Sequence, residues 1–552
     1  MRTPPRQALL FALAIGLCPV PAPAGAAAPA EPPRLVVLVV VDQMPLRLYD
    51  RVLRVLPPGG LRRLAEGGRS LVGRYGHANT STAPGHALLA TGAGAGRSGI
   101  VGNEWWSRTD WRPAYCTEDP AYQVLGRASK EHEGTSPRNL HVEGVADALR
   151  AATSGRAKVL ALSWKDRGAI LPGGLHPSAA VWFDIVQGAF TTSTYYAREL
   201  PAWLAHANAA RPAARLVGTR WQPMAPARVL AELGGPDDAP GEGDYDGLGV
   251  AFPHPIRSIK AISMTPFANE LLLEAALEGA AAYGLGRDAV PDFLVISFSA
   301  SDFVGHVFGP DSREQLDLFF RLDRQVARLL GWLDQHVGAG RYAVVLTSDH
   351  GGASLPEHTL AAGSAGGPAR PVRLPRDADI AALVEKAVAR AVGPGWQAAM
   401  KHPHLYLRPP EKGPGAERLP AALAAARAAL AQLPGVARVV DAADLARAAP
   451  EDAVAQAVLR SWDPDRSGDF YLVLGEGSVF EEELVPGFGT GHGSPHDYDQ
   501  LVPLVFYGAR VLPSRGERAQ VPQESVASTL AALLGVPPPP AAERPALREA
   551  LR

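Results

Sequence analysis

The sequence predicts an α/β protein, with a central, mainly parallel sheet sandwiched by helices and two cap-like insertions at its entrance. Three observations carry this. The runs Arg34 to Val41, Lys158 to Ser163, Asp292 to Phe298 and Arg341 to Ser348 are short and apolar, the pattern of strands buried on both faces. Amphipathic segments of helical period lie among them. Each run delivers a charged group just past its end, where open α/β sheets place ligands.

Composition bounds the reading. With 552 residues, 47% of them hydrophobic, the chain can bury a large core, and length alone allows two or more domains. A net charge of −2 with 20% charged residues gives no basic surface of the kind nucleic acid requires, so the substrate is expected to be small. Arg2 and Arg6, an apolar run from Ala8 to Val20 and Ala-x-Ala sites between Ala24 and Ala28 predict a signal peptide over residues 1–27. Leu17 precedes Cys18 where a lipoprotein signal needs a small residue, which argues against lipidation. Cys116 is then the only thiol of the mature chain, and no intrachain disulfide can form. No other stretch is long and apolar enough to span a membrane, so the protein is expected to be periplasmic or secreted.

Taken in order, the first strand ends in Asp42, either a ligand at the sheet edge or the cap of a helix near Pro45. Helical pieces Leu46 to Val55 and Leu61 to Glu66 follow, broken by Pro57-Pro58-Gly59-Gly60. Thr82-Ala83-Pro84-Gly85-His86 comes next. Pro84 suits a first helical turn, which places the Thr82 hydroxyl just before a helix N-terminus, as a cap or as a nucleophile whose bound phosphate faces free N–H groups. The Gly-rich stretch Gly92 to Gly102 is a flexible turn or a device that presents the Asn103 amide to a phosphate oxygen. After a helix over Leu140 to Ala152 and the second strand come Lys165 and Arg167, solvated loop charges or a clamp for a dianion.

Residues 183–257 resist threading through a sheet and are expected to be the first insertion; their acidic loop Gly234 to Asp246 shows no ordered calcium-ligand spacing. A helix over Thr265 to Tyr283 leads to the third strand and to Asp302 and His306, which share a helical face at i, i+4. A helix over Arg321 to Gln335 leads to the fourth strand and the adjacent Asp349 and His350. The second insertion is expected over 354–480, with helices Ile380 to Val392 and Leu419 to Leu433. Within it Asp463 to Asp469 imitates the start of an EF-hand loop, but Leu474 occupies the twelfth position and rules that out. His492 sits between glycines, His496 has no evident role, and Leu501 to Tyr507 is a final strand; a helix over Ser525 to Leu534 falls in the closing 511–552 segment with its Pro-rich tail.

Asp42, Lys165, Asp302, Asp349 and the Thr82 turn would thus share one edge of the sheet. Six candidate ligands, Asp42, Asp302, His306, Asp349, His350 and His492, suit two metals of three protein ligands each, and a His/carboxylate set without thiolate favours zinc.

Val41-Asp42-Gln43, Thr82-Ala83-Pro84-Gly85-His86, Val101-Gly102-Asn103, Lys165-Asp166-Arg167-Gly168, Asp302-Phe303-Val304-Gly305-His306, Ser348-Asp349-His350-Gly351 and Gly491-His492-Gly493 resemble, in order, the motifs of the alkaline phosphatase superfamily, specifically its PafA-type bacterial phosphatases. The resemblance covers residues 34–510 and implies one catalytic domain. It also implies a two-zinc phosphomonoesterase in which Asp302, His306 and His492 hold the zinc near the leaving group, and Asp42, Asp349 and His350 the zinc that Thr82 joins. Thr82 would form a phosphothreonine, with Asn103, Lys165 and Arg167 on the non-bridging oxygens. A monoester dianion offers those cations one more charged oxygen than a diester, which ranks a phosphomonoesterase above the related phosphodiesterase or nucleotide pyrophosphatase. Sulfatases need a Cys or Ser nucleophile that Thr82 does not provide. An inactive, metal-stabilised binding protein would lack a ligand or the nucleophile, and none is missing.

Overall fold

In the computed structural model, nine strands build the central sheet: β1 (Leu35–Val41), β2 (Arg69–Arg74), β3 (Val159–Ser163), β4 (Ala179–Asp184), β5 (Ala189–Thr191), β6 (Asp292–Phe298), β7 (Tyr342–Thr347), β8 (Leu501–Gly508) and β9 (Gln520–Pro522). Their order across the sheet is β9-β2-β8-β7-β1-β6-β3-β4-β5. The structure describes residues 1, 31–128, 133–361, 370–411, 415–481, 484–514 and 516–552. The predicted signal peptide lies outside the described residues, apart from Met1.

Strands β7, β1, β6, β3 and β4 run parallel to one another, and the edge strand β5 is antiparallel to β4. β8 is antiparallel to both β7 and β2, so the double reversal returns β2 to the common direction. The turn after β2, which carries Thr82, therefore reaches the same edge as the ends of β1, β3, β6 and β7. The pattern of β2, Arg-Ser-Leu-Val-Gly-Arg, buries only alternate positions, and the apolar-run criterion misses it.

Every residue of β1 is buried. Leu35, Val37, Val39 and Val41 pack into the cluster on one face, and Val36, Leu38 and Val40 into the cluster on the other. A carboxylate within such a strand would lose its solvation on both sides, so the first acid appears only where the strand stops. The helices Pro266–Tyr283 and Arg313–Leu333 cover the first face. Val145–Ala152 and Ser525–Leu534 cover the second.

Several element bounds differ from the sequence pattern. The helix expected from Leu140 begins at Val145, because the Gly144 N–H is taken by Asp147 Oδ2 at 3.0 Å. The helix expected from Arg321 begins at Arg313, where the Ser312 side chain accepts from the Gln315 N–H. The sheet also runs through Thr191, beyond the expected start of the first insertion. Between β7 and β8 a separate antiparallel sheet forms from Gln397–Lys401, His404–Arg408, Val436–Val440 and Phe470–Leu474. It has its own core, in which Leu405, Phe470 and Leu472 meet Ile380, Val384 and Leu430. Among the described residues no helix is long and apolar enough to cross a membrane.

Candidate active site

All ten residues singled out in the sequence converge at the C-terminal edge of the parallel strands. Asp42 follows β1, and its backbone N–H donates to Phe298 O at 2.9 Å, which ties the ends of β1 and β6 together. Asp302 lies in the first turn of the Ala300–Phe308 helix and His306 one turn on, with Nε2 at 3.2 Å from Asp302 Oδ1. His492 Nε2 lies 3.5 Å from the same oxygen. On the other side His350 Nε2 is 3.3 Å from Asp42 Oδ1 and 3.6 Å from Asp349 Oδ2.

The imidazoles are oriented by their other nitrogen. His306 Nδ1 meets Thr490 O at 2.9 Å, His350 Nδ1 meets Gly351 O at 2.8 Å, and His492 Nδ1 meets Thr80 O at 2.8 Å. A carbonyl only accepts, so each Nδ1 carries a proton and Nε2 is the nitrogen that faces the carboxylates, the one that would bind a metal, as in metal-ligating histidines. Ligand atoms of Asp302, His306 and His492 lie close enough to share one ion, as do those of Asp42, Asp302 and His350. Asp42 Oδ1, Asp349 Oδ2 and His350 Nε2 are buried with no hydrogen bond among the described residues. Such orphaned atoms, with mixed nitrogen and oxygen donors, fit zinc.

The charges respond to this crowding. Burial, with the charges of Asp302 and Asp349, pushes the Asp42 carboxyl up. Burial also opposes ionisation of Asp302, but Lys165 and His306 outweigh it and hold that carboxyl well below its usual range. Burial disfavours the His350 imidazolium, yet Asp349 and Asp42 raise it to about 9, whereas His492 is pushed down to about 3 by burial and by His350. The cluster as a whole draws in positive charge. Lys165 Nζ supplies it, 2.6 Å from Asp42 Oδ2 and 2.5 Å from Asp302 Oδ2.

Thr82 is buried, with its Oγ1 3.4 Å from Lys165 Nζ. It is the first residue of the Thr82–Thr91 helix rather than the residue before it; Ser81 holds the cap position and makes no capping bond through its side chain. Neither the Thr82 nor the Ser81 hydroxyl is spent on capping. Asn103 Oδ1 accepts the Ala83 N–H at 2.9 Å, which fixes the amide and leaves its NH₂ to face the cavity. That cavity, about 490 Å³, is lined by Asn103, Arg167, His306 and His492. Lys165 and Arg167 belong to a helix start, not a loop: Lys165 is the N-cap of the Asp166–Gly173 helix, whose backbone turn separates the two cations.

Sequence reasoning missed four residues that touch the site. Gln43 donates from Nε2 to Asp302 Oδ1 at 3.2 Å and from its backbone to Asp349 Oδ1 at 3.3 Å, at a positive φ of 55°. His86 Nδ1 lies 2.9 Å from Thr82 O and 3.2 Å from Asp349 Oδ2. Tyr115 and Asp166 stand behind Arg167. Gln43, His86 and Asp166 each stand inside one of the motifs that carry the family resemblance, next to or near a residue already singled out; Tyr115 alone had no such signal.

The family model for type I phosphodiesterase / nucleotide pyrophosphatase matches residues 36–498. The chain belongs to this family. Within the alkaline phosphatase superfamily it is a PafA-like hydrolase. It is 31% identical to alkaline phosphatase PhoV of Synechococcus elongatus, over 92% of this chain and 91% of PhoV. It is 31% identical to alkaline phosphatase PafA of Elizabethkingia meningoseptica, over 91% of this chain and 92% of PafA. It is also 32% identical to a protein of Myroides odoratus named calcium-transporting ATPase, over 92% of each chain. The crystal structure of wild-type PafA superimposes with a TM-score of 0.86, covering 95% of this chain and 100% of PafA at 29% identity. The family's α/β architecture, a large mostly parallel sheet flanked by helices, is the one described above.

Proposed function

We propose that the protein is an exported phosphomonoesterase that works through a phosphothreonine on Thr82 at a two-zinc site. The observation that carries this is the Thr82 hydroxyl 3.4 Å from Lys165, whose ammonium bridges two His/carboxylate groups that meet at Asp302, with Asn103 and Arg167 lining the adjoining cavity. Asp302, His306 and His492 would hold one metal and Asp42, Asp349 and His350 the other, with Asp302 near enough to Asp42 and His350 to be shared. Bound there, zinc supplies Lewis acidity that lowers the pKa of an attacking hydroxyl and steadies a departing oxygen.

The chain's own groups do the rest. Thr82 Oγ1 forms a bond to phosphorus as the ester P–O bond breaks, and the alcohol leaves with a proton. Water then attacks phosphorus from the opposite side, the Thr82 oxygen departs, and inorganic phosphate is released with net retention at phosphorus. The Asn103 amide and the Lys165 and Arg167 cations bind the non-bridging oxygens throughout. Positive charge at that corner is worth most to a dianion, which favours monoesters. The second reading, a phosphodiesterase or nucleotide pyrophosphatase, draws on the description of the matched family. Segments 183–257 and 354–480 are read as insertions that shape the entrance.

The test uses zinc-loaded protein and compares kcat/KM for a phosphate monoester and its methyl diester with one leaving group. The monoester should be strongly preferred. Thr82→Ala should cost at least about 10³-fold, in line with loss of a nucleophile. Lys165→Ala/Arg167→Ala should narrow the monoester preference. A diester preference untouched by the double variant would move the protein to the diesterase reading.

A further inference from the structure

Asn103 and Arg167 reach the cavity from different parts of the chain, and one hairpin connects them. Its strands, Glu104–Ser107 and Arg112–Tyr115, pair Glu104 with Tyr115, and the Cys116 N–H donates to Asn103 O at 3.0 Å. Tyr115 is thereby fixed relative to Asn103, and its hydroxyl meets the Asp166-Arg167 pair at the start of the next helix.

The hydrogen bonds there have one consistent arrangement. Arg167 Nη1 lies 3.0 Å from the Tyr115 hydroxyl and can only donate to it. The hydroxyl must then give its own proton to Asp166 Oδ1, at 2.5 Å. That carboxylate is held in place by the Arg167 backbone N–H on Oδ1 at 2.8 Å and by Thr117 Oγ1 on Oδ2 at 2.8 Å. Burial, reinforced by the Asp166 charge, pushes the phenol well above its ordinary range, so it keeps its proton.

Among the described residues no carboxylate lies within ion-pair distance of the Arg167 guanidinium. A direct Asp–Arg pair would aim the guanidinium but also neutralise it toward an incoming anion. A neutral hydroxyl between carboxylate and cation gives direction and leaves the positive charge for the ligand. Tyr115 lines the same cavity as Asn103 and Arg167, so this constraint acts at the wall where a phosphate would sit.

We propose that Tyr115, held by Asp166, is a positioning residue that aims Arg167 at the non-bridging oxygens and so sets the preference for monoesters over diesters. The inference rests on the reading of Arg167 as an anion-binding group. Tyr115→Phe keeps the ring and removes only the relay. In zinc-loaded enzyme it should lower kcat/KM for the monoester about 10-fold, the scale of one aligned charge-assisted hydrogen bond, and the methyl diester by less than about 2-fold. Inhibition by inorganic phosphate should weaken in parallel with the monoester rate.

The decisive comparison places Tyr115→Phe on an Arg167→Ala background, where its effect should vanish. An equal loss on both backgrounds, or on both substrates, would mean that Tyr115 only supports the hairpin, and the proposal would be wrong. A large effect of Arg167→Ala with none from Tyr115→Phe would overturn the relay and leave the anion role of Arg167 intact. If Arg167→Ala alone changes nothing, the reading of Arg167 and the relay fall together, while the Thr82→Ala result still decides the nucleophile.

Discussion

At the scale of single residues, Gly85 shows why a short motif can be read without knowing its contacts. A Cβ built there would lie 2.2 Å from Asp349 O and 2.9 Å from its carbonyl carbon, backbone atoms that no rotamer change can move. The Thr82 helix and the Asp349 turn therefore touch through a missing side chain. Gly85→Ala is expected to cost about 1–3 kcal/mol through overpacking. The phosphatase rate should fall further than thermal stability does, because the displaced atoms belong to Asp349. Melting curves and monoester kinetics on the same preparation check this, and unchanged kinetics would show that the contact is slack. Residues such as Asp42, Asp302, Asp349 and His350 were legible because each is a polar interruption after a run that has no other reason to stop. The contacts of Gln43 and Tyr115 were not legible, although Gln43 stands beside Asp42 in its motif. Their importance comes from partners hundreds or tens of positions away, and a positive φ at Gln43 leaves no trace in its neighbours' identities.

At the scale of elements, the strands delivering ligands could be read from composition, and their direction could not. Nothing in Leu501 to Tyr507 says that β8 runs against β7, because a strand buried on both faces looks alike in either sense. The Arg313–Leu333 helix was under-read for a different reason: Glu314, Gln315 and Asp317 are buried and break the apolar stripe of its first turns. Asp317 carries a contact network of its own. Its Oδ1 accepts from the backbone N–H groups of Met224 and Ala225, while Oδ2 accepts from Trp221 Nε1 at 2.6 Å and Arg321 Nε at 2.9 Å. Asp317→Asn replaces one acceptor oxygen with a donor facing donors. It should destabilise the protein by about 3 kcal/mol, the range for a broken buried charge network. Hydrogen exchange should quicken at residues 221–225 before the central sheet responds. Unaltered protection there would show that the segment is held by its apolar contacts instead.

At the scale of the whole molecule, stability should depend on pH through Glu242. Its side chain is buried, Oε2 accepts the Ala239 N–H at 2.9 Å, and Oε1 has no hydrogen-bond partner among the described residues. Burial, with the nearby charges of Glu314, Asp238 and Asp237, raises its carboxyl to about 8. The folded state then holds a proton that the unfolded chain releases at about pH 4.3. Stability contributed by that proton is full below the unfolded pKa and declines as pH climbs to about 8, above which the buried charge costs its maximum. Glu242→Gln should therefore melt close to the parent at pH 5 and above it at pH 9. Equal melting temperatures at both values would mean that Glu242 is solvated as the carboxylate.

The chain is also ordered in time. His492 and β8 are made late, behind a small sheet with a core of its own, and β8 is what pairs β2 to β7. A polypeptide interrupted before that point carries every other residue of the proposed site yet lacks the strand that holds the Thr82 side of the sheet to the Asp349 side. Early termination or proteolytic loss of the C-terminal portion should thus leave an inert fragment rather than a weakened enzyme, and catalytic competence becomes a late event in the synthesis of each molecule.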